Sequence, residues 1–581
     1  MIAEQTGDIR DVVRQAIFVP VDAHVTPLYE RRRRFLTARA EIFFGAILAA
    51  LVLAAGTAVP AAAQSAGSNA STLPSGRLSG EDLRAFEAAR RIADRAPEVV
   101  EQRRSHADLT ATTFSRAGSL LELTYASRGR ALVGVKVDLD RRRILGAWTG
   151  WAATWGMARG EPGAFGRVWN SPWVLVPLGL LFLLPFVDPR RPWRLLHLDL
   201  LVLLALGVSH VFFNRGDIDA SVPLVYPVLL YFVVRLIAGV AWPRPDRGPL
   251  VPYVPVRWLG AGAVALLVAR IVLNVVDSNV IDVGFASVIG ADHILDGEGL
   301  YGPGFAEDPP NGDTYGPVNY LAYVPFVAIF GWSGEWDALP AAHAAAIAFD
   351  ALTAGALVLL GRRLREGPQG TALGVALAWA WLAYPWTAFV LMTNANDGLV
   401  ALLLTFALLA FTSAPARGAL LGLAAAAKFG PIALAPLLAT RDREREPLGA
   451  WLAYAGALAL VVAAATLPFV PDGGLSELYD RTIGFQLGRE SPFSLWGLHP
   501  SLDVVQVLVQ VAAVNLALLL LPVPARRGPE QVAALGATVL IAAQIAAEHW
   551  FYLYVVWWLP LALVAVMARF GASPSAGTSA P

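Results

Sequence analysis

The chain has 581 residues, of which 56% are hydrophobic and only 15% charged, with 45 basic and 45 acidic side chains and no cysteine. An apolar fraction that high and a charge content far below the roughly 25% of ordinary soluble proteins exclude a soluble globular fold, and zero net charge supplies no global field for nucleic acid. Without cysteine the chain has no disulfide, thiolate nucleophile, Cys-ligated zinc or iron–sulfur centre.

Residues 1–40 are polar and basic, ending in Arg31–Arg34 and Arg39. The apolar run Ile42–Ala58, closed by Ala61–Ala63, has the basic flank, apolar stretch and Ala-x-Ala end of a secretory signal. It is also long enough to stay as an anchor, and both readings send residue 64 onward outside. A Ser/Gly/Ala-rich linker, Gln64 to Gly80, then leads to a charged helical pattern from Gly80 to about His106. Three strand-like stretches follow, Leu120–Tyr125, Ala131–Val137 and Ile144–Trp148, separated by Arg128-Gly129-Arg130 and Asp138–Arg143. Residues 64–170 are therefore expected to form a small extracytoplasmic α+β domain, one helix on an antiparallel sheet. It faintly resembles helix-plus-sheet modules of the PepSY or cystatin-like kind and shows no catalytic constellation.

From Pro172 onward the chain reads as an all-α polytopic membrane protein of about 13 spans after the N-terminal signal or anchor. Spans are expected near 172–187, 196–213, 221–241, 256–276, 339–361, 371–391, 398–413, 417–427, 430–440, 448–468, 501–522, 530–547 and 550–569. The first three are accessory helices (171–255), and residues 571–581 make a disordered tail. Arg-rich loops at Asp188–Arg194, Pro243–Arg257, Arg362–Glu366, Ala414–Arg417, Arg441–Arg445 and Arg526–Arg527 recur on every second crossing, as the positive-inside rule requires. Counting Asn319–Trp332 as a full span would break that alternation, so it is expected to be re-entrant or interfacial.

With this topology the informative polar residues gather outside. The first outer loop holds Asp277, Asp282, Gly297–Tyr301 and Tyr315–Tyr320; a short turn, Thr393–Gly398, holds Asp397; another holds Lys428 and Pro431. The loop 470–500 carries Tyr479, Arg481, Arg489, Glu490, Trp496 and His499, and the last turn is Glu548-His549-Trp550. Carboxylates at membrane depth are costly and face a bundle interior or cavity, which singles out Asp282 and Asp397.

The order of these features carries a resemblance. An acidic residue just after a span opens a long loop with Gly-x-x-Leu-Tyr (Gly297–Tyr301) and Tyr-Gly-Pro-Val-x-Tyr (Tyr315–Tyr320). A span ending Gly361-Arg362-Arg363, an Asn-Asp turn and a Lys-x-Gly-Pro turn follow. Over roughly 256–570 this is similar to the GT-C superfamily of integral membrane glycosyltransferases, closest to the polyprenyl-phosphate-mannose-dependent mannosyltransferases. The resemblance implies an enzyme of the bacterial cytoplasmic membrane whose active site faces outward. It would move a sugar from a polyprenyl-phosphate donor to an acceptor hydroxyl on a glycolipid or glycan. It implies Asp282 as general base with Asp277 as alternative, and Lys428, Arg481 and Arg489 as cations near the donor phosphate. Tyr315, Tyr320, Asp397, Glu490 and His549 join the donor or substrate site, with Trp496 and Trp550 along the sugar or lipid path. No cofactor is firmly implied, and a divalent cation held by outer carboxylates and phosphate stays open.

Each residue has a plainer role as well. Asp282 and Asp397 stand where helix caps stand, Asp277 could pair with Arg270 on its own helix, and Lys428 could snorkel from an interface. Arg489-Glu490 could be a surface ion pair and His549 part of an aromatic belt. Asp350 and Asp503 are expected to make structural hydrogen bonds. A transporter or lipid flippase is the alternative function, and an inert anchor for a sensing domain at 64–170 a third.

Overall fold

A computed structural model describes residues 80–570 apart from 118, 161–167, 244–247, 303–304, 306–311, 443–444, 522–523 and 525–526. The expected signal or anchor, the linker before Gly80 and the expected tail at 571–581 lie outside the described residues. The described residues all fall within one compact unit, Leu48–Pro581.

The extramembrane domain begins with α1 (Gly80–Ala93) and α2 (Pro97–Ser105), where a single helix was expected. Pro97 disfavours helical backbone at the residue before it, and Ala96 is extended, so the helix breaks there. Four strands follow: β1 (Thr110–Ala117), β2 (Leu120–Ser127), β3 (Arg130–Asp138) and β4 (Arg143–Thr149), an antiparallel meander in sequence order. The expectation of three strands missed β1, a polar edge strand whose Thr-Ala-Thr-Thr run has no apolar alternation. Ala85, Ala89, Ala93 and Val99 of the helices close over Leu121, Leu123, Val133, Val135 and Val137 of the sheet to make its core.

The helices that follow are α3 (Pro172–Phe186), α4 (Leu195–Phe213), α5 (Ile218–Ala241), α6 (Val256–Asp277), α7 (Asp282–Asp296) and α8 (Pro317–Phe330). Next come α9 (Pro340–Leu364), α10 (Gly367–Ala383), α11 (Pro385–Met392), α12 (Asp397–Leu409) and α13 (Ala414–Ala427). The last are α14 (Leu448–Phe469), α15 (Pro500–Leu520), α16 (Pro529–Ala546) and α17 (Tyr552–Met567). Seven of these are long and apolar enough to cross a bilayer, or eight when α10 and α11, bent by 59°, count as one broken span. The chain is thus a membrane protein with a small four-stranded domain. The segment expected as a span at 430–440 is a 3-10 stretch, Gly430–Leu434, followed by one helical turn. Pro431 and Pro436 prevent a continuous α-helix there.

Buried ion pairs join the helices. Arg270 of α6 grips Asp350 of α9 through Nη2 at 2.7 Å and Nε at 3.1 Å, and Trp381 donates to the same carboxylate at 2.8 Å. Arg270 also donates to the carbonyl of Leu382 at 2.8 Å, one of the acceptors freed where Pro385 breaks the α10–α11 span. Asp350 therefore has the structural role expected of it, whereas Arg270 does not pair with Asp277.

The Arg-rich loops meet at one end of the bundle. Arg194 donates to Pro249, Arg363 to Thr412, Arg365 to the carbonyl of Ala568, and Arg527 N to Arg441 O. Arg417 at the start of α13 bonds Glu446 at 3.0 Å and the carbonyl of Leu438 at 2.9 Å, so Gly430–Leu438 runs back beside α13 to this same end. By contrast α8 starts beside Ala427 and the loop after it returns to Val280, both at the opposite end. Both ends of α8 thus lie at the same end of the bundle.

Replacing Asp350 by Asn leaves the Arg270 guanidinium buried without its counter-charge. The expected loss is about 3–5 kcal/mol of unfolding free energy, measured by denaturation in detergent, with much of it restored in Arg270→Met/Asp350→Leu. A loss under about 1 kcal/mol would show that the pair is not a structural tie.

Candidate functional site

At the end away from the Arg-rich loops a cavity of about 770 Å³ opens between α15, α16 and the segments that cap them. Its floor is built around Lys428, the residue that ends α13. Lys428 Nζ lies 2.8 Å from Asp397 Oδ1 at the start of α12, and Trp557 Nε1 donates to the same oxygen at 2.7 Å. The ammonium sits 5.2 Å from the ring centroid of Tyr315, 5.8 Å from Tyr554 and 5.7 Å from Trp557. An aromatic cage of this kind stabilises a cation by its ring faces without neutralising it.

Tyr315 reaches the floor because the backbone crosses α13 at very close range. Gly316 N bonds Ala427 O at 3.2 Å, and a Cβ on Gly316 would lie 2.0 Å from the Ala426 carbonyl oxygen. Tyr320 has a different task. Its ring covers Gly290 of α7, its hydroxyl donates to Gly312 O at 2.6 Å, and it lies beneath the loop, away from the cavity. Arg481 bridges Asp313 and Glu477, both at 2.8 Å, and so clamps the same loop. Neither Tyr320 nor Arg481 lines the cavity.

Asp282 opens α7 and is exposed, with Oδ1 accepting from Val283 N at 2.9 Å. Its charge acts on both Tyr315 and Tyr554, although Asp282 itself does not line the cavity. Backbone bonds from Asn279 to Met392 and from Ile281 to Thr393 hold the start of α7 against the Thr393–Asn396 turn. Asn394 in that turn is left-handed, a conformation Asn tolerates better than most side chains. Asp277 points elsewhere and accepts from Val168 N at 2.6 Å.

The outer wall carries Arg489, Glu490, Glu548 and His549. Arg489 lies over the Trp155 ring at 5.0 Å, and His549 stacks on the same ring at 6.0 Å. Burial, with Arg489 and Lys428 adding to it, holds the His549 imidazole well below the ordinary histidine range, so the ring is neutral near pH 7. Ser491 Oγ lies 2.6 Å from its Nδ1. Burial raises the Glu548 carboxyl; the Gln506 amide, 2.9 Å away, opposes the shift, and Asp503 and Glu490 reinforce it. Burial likewise raises the Tyr315 phenol far above its usual value, so it is a neutral hydrogen-bonding group.

Deeper in, Ala513, Val514, Ala517, Val539, Leu540 and Ala543 make an apolar wall between α15 and α16. No part of the α15 window is buried against the protein, so this wall borders the bilayer. The cavity thus joins a head that holds Lys428, Arg489, aromatic rings and the carboxyl groups of Glu490, Asp503 and Glu548 to an apolar slot, an arrangement for an amphiphile with a polar head; its volume lies within the range of small-molecule sites.

Several lining residues were not among the sequence candidates. Gln506 and Gln510 recur at helical spacing in the mostly apolar α15, a readable signal. Tyr554 and Trp557 were hidden in an aromatic-rich span. Trp155, which backs Arg489 and His549 without lining the cavity, comes from the chain leaving the small domain and gave no signal. It is placed by Arg159, which bonds Ala152 O at 2.7 Å and Glu122 of β2 at 2.7 Å. Trp496 and Trp550 are buried against Ile545 and Gln544, outside the cavity. Among the described residues no cluster of three or more His, Asp or Glu side chains is arranged to hold a metal ion. Set against known proteins, the chain matches no family model, no curated protein and no solved structure.

Trp155→Ala removes the ring that shields His549. Opening that face to water favours the imidazolium, so the His549 pKa is expected to rise toward about 6.5. Histidine resonances followed by NMR against pH read this directly. An unchanged titration would mean that Trp155 does not shape the wall.

Proposed function

We propose that this chain is a membrane glycosyltransferase that takes a sugar, mannose by the resemblance of its motifs, from a polyprenyl-phosphate donor. The acceptor is the hydroxyl of an extracytoplasmic glycolipid or glycan, at the outer face of a bacterial cytoplasmic membrane. The observation that supports this reading best is the pairing of a caged cation and Arg489 with an apolar slot that borders the bilayer, with the exposed Asp282 carboxylate near enough for its charge to act on Tyr315 and Tyr554. In the same reading α3, α12, α13, α17 and the returning segment Gly430–Leu438 also cross, which keeps every Arg-rich loop on the inner side.

The donor phosphate would lie toward Lys428 and Arg489, with its polyprenyl chain along Ala513, Val514 and Leu540. The acceptor oxygen attacks the anomeric carbon, the bond from that carbon to the phosphate oxygen breaks, and the lipid phosphate leaves with the bonding electrons. Asp282 receives the acceptor proton. Because Asp397 already balances much of the Lys428 charge, Arg489 contributes the larger part of the field on the leaving phosphate. General-base catalysis by a positioned carboxylate is worth about 10²–10⁴-fold.

Membranes carrying the full chain should transfer radiolabelled mannose from polyprenyl-phosphate-mannose, and Asp282→Asn should reduce the rate by about 10²–10⁴-fold at equal expression. Transfer unaffected by Asp282→Asn would remove Asp282 from the chemistry. A chain that moves the lipid across the bilayer without transferring sugar would establish the flippase alternative instead.

Glu548 gives this reading a pH signature. Its carboxyl is protonated below its raised pKa, and protonation removes a negative charge facing the donor phosphate. Affinity for a non-transferable polyprenyl phosphate should therefore rise as pH falls through that elevated value, and Glu548→Gln should flatten the dependence. A pH profile identical in the two proteins would mean that Glu548 does not face the phosphate.

A further inference from the structure

A second concavity lies at the far end of the bundle. The helix α17 begins at the floor of the first cavity with Tyr554 and Trp557 and runs about 24 Å to its other end, just before Arg569. There a pocket of about 1350 Å³ opens between the loop before α4, the last turns of α5 and Arg569. Five guanidinium groups line it: Arg190, Arg191, Arg194, Arg235 and Arg569.

Among the described residues, the acids around this pocket leave two of its arginines without a carboxylate partner. Arg235 is committed to Asp199 through two bonds of 2.8 and 3.0 Å. Arg194 lies 3.9 Å from Asp188, whose Oδ1 also accepts from Arg190 N. Arg569 feels Asp199 and Glu530, and Glu530 itself stands 3.7 Å from Arg365. Arg190 and Arg191 are exposed and have no carboxylate partner among the described residues. The charges that Asp188 and Asp199 leave uncompensated are therefore concentrated on one loop.

The rest of the pocket is apolar and open to the side. Leu195 and Leu198 on α4 face Leu230 and Val234 on α5, and these four side chains are 46–67% exposed. Two tryptophans flank the rim, Trp193 at 94% and Trp242 at 68% exposure, as aromatic side chains do at the level of lipid head groups. A free phosphate would satisfy the arginines and leave that apolar wall without a partner. A phospholipid satisfies both at once.

We propose that this pocket is a binding site for one anionic phospholipid of the inner leaflet, of the phosphatidylglycerol or cardiolipin class. Its phosphodiester is held by Arg190 and Arg191, and an acyl chain lies along Leu195, Leu198, Leu230 and Val234. Arginine suits the task because its planar fork can meet two phosphate oxygens together. Basic pockets between spanning helices on the cytoplasmic side favour anionic head groups on the same grounds. The site is independent of the sugar-transfer reading, since it shares no residue with the first cavity.

Native mass spectrometry of the full chain, released from detergent after exposure to equimolar phosphatidylglycerol and phosphatidylcholine, tests the proposal. The expected result is one retained phosphatidylglycerol, with affinity about 30-fold lower in R190Q/R191Q, given the loss of two charges near a membrane surface. Val234→Asn, which spoils the wall and leaves the charges in place, should weaken retention as well. Equal retention of both lipids, or retention unaffected by R190Q/R191Q, would overturn it. Displacement by glycerol 3-phosphate at concentrations comparable to the lipid would overturn it too, by assigning the site to a free anion.

Discussion

No charge or backbone dipole can stand alone inside a helix bundle surrounded by hydrocarbon, and much of this structure follows from that constraint. Four buried ion pairs meet that constraint: Asp199 with Arg235, Asp350 with Arg270, Asp397 with Lys428, Glu446 with Arg417. Each pair is also a distance restraint between elements far apart in sequence. The Arg270–Asp350 tie goes further, because the same guanidinium caps a carbonyl released where Pro385 interrupts α10 and α11. A broken span is tolerated there because a charged side chain from α6 completes its hydrogen bonds.

The candidate site is the same device turned to another end. Asp397 and Lys428 close the gap between α12 and α13, and the pair leaves Asp397 Oδ2 buried without a hydrogen-bond partner. The cage of Tyr315, Tyr554 and Trp557 then fixes the ammonium at the foot of a cavity, where it can influence an anion that it does not fully neutralise. Arg489 is held differently, by the face of Trp155, and among the described residues no carboxylate pairs with it. The small domain thereby supports the cavity wall from behind: Arg159 pins the connecting turn to β2, and Trp155 packs against Arg489 and His549.

The two ends of the bundle have opposite chemistry. One concentrates arginines around an apolar pocket at the loops, and the other surrounds a lysine with aromatic rings and acidic rim residues. Helices α16 and α17 are buried along most of their length; both line the first cavity, and α17 ends just before Arg569 of the second.

Much of this was legible in the sequence. Hydropathy alone fixes a membrane chain, and the spacing of Arg-rich loops required them to share one side, which the contacts of Arg194, Arg363, Arg365 and Arg527 bear out. The same alternation set Asn319–Trp332 apart from the spans, and both ends of that segment lie at one end of the bundle. Lys428, Tyr315, Arg489, Glu490 and His549 were marked as outer polar residues and do line one cavity, with Asp397 buried behind Lys428. The sequence could not separate these from Asp277, Arg481 and Tyr320, because all lie in outer loops and only packing decides which way each points. Nor could it find Trp155 or the ion-pair partners of Asp350 and Asp397. Composition and periodicity are properties of one segment at a time, whereas a cavity and a buried pair belong to segments brought together by the requirement that each buried charge find its opposite.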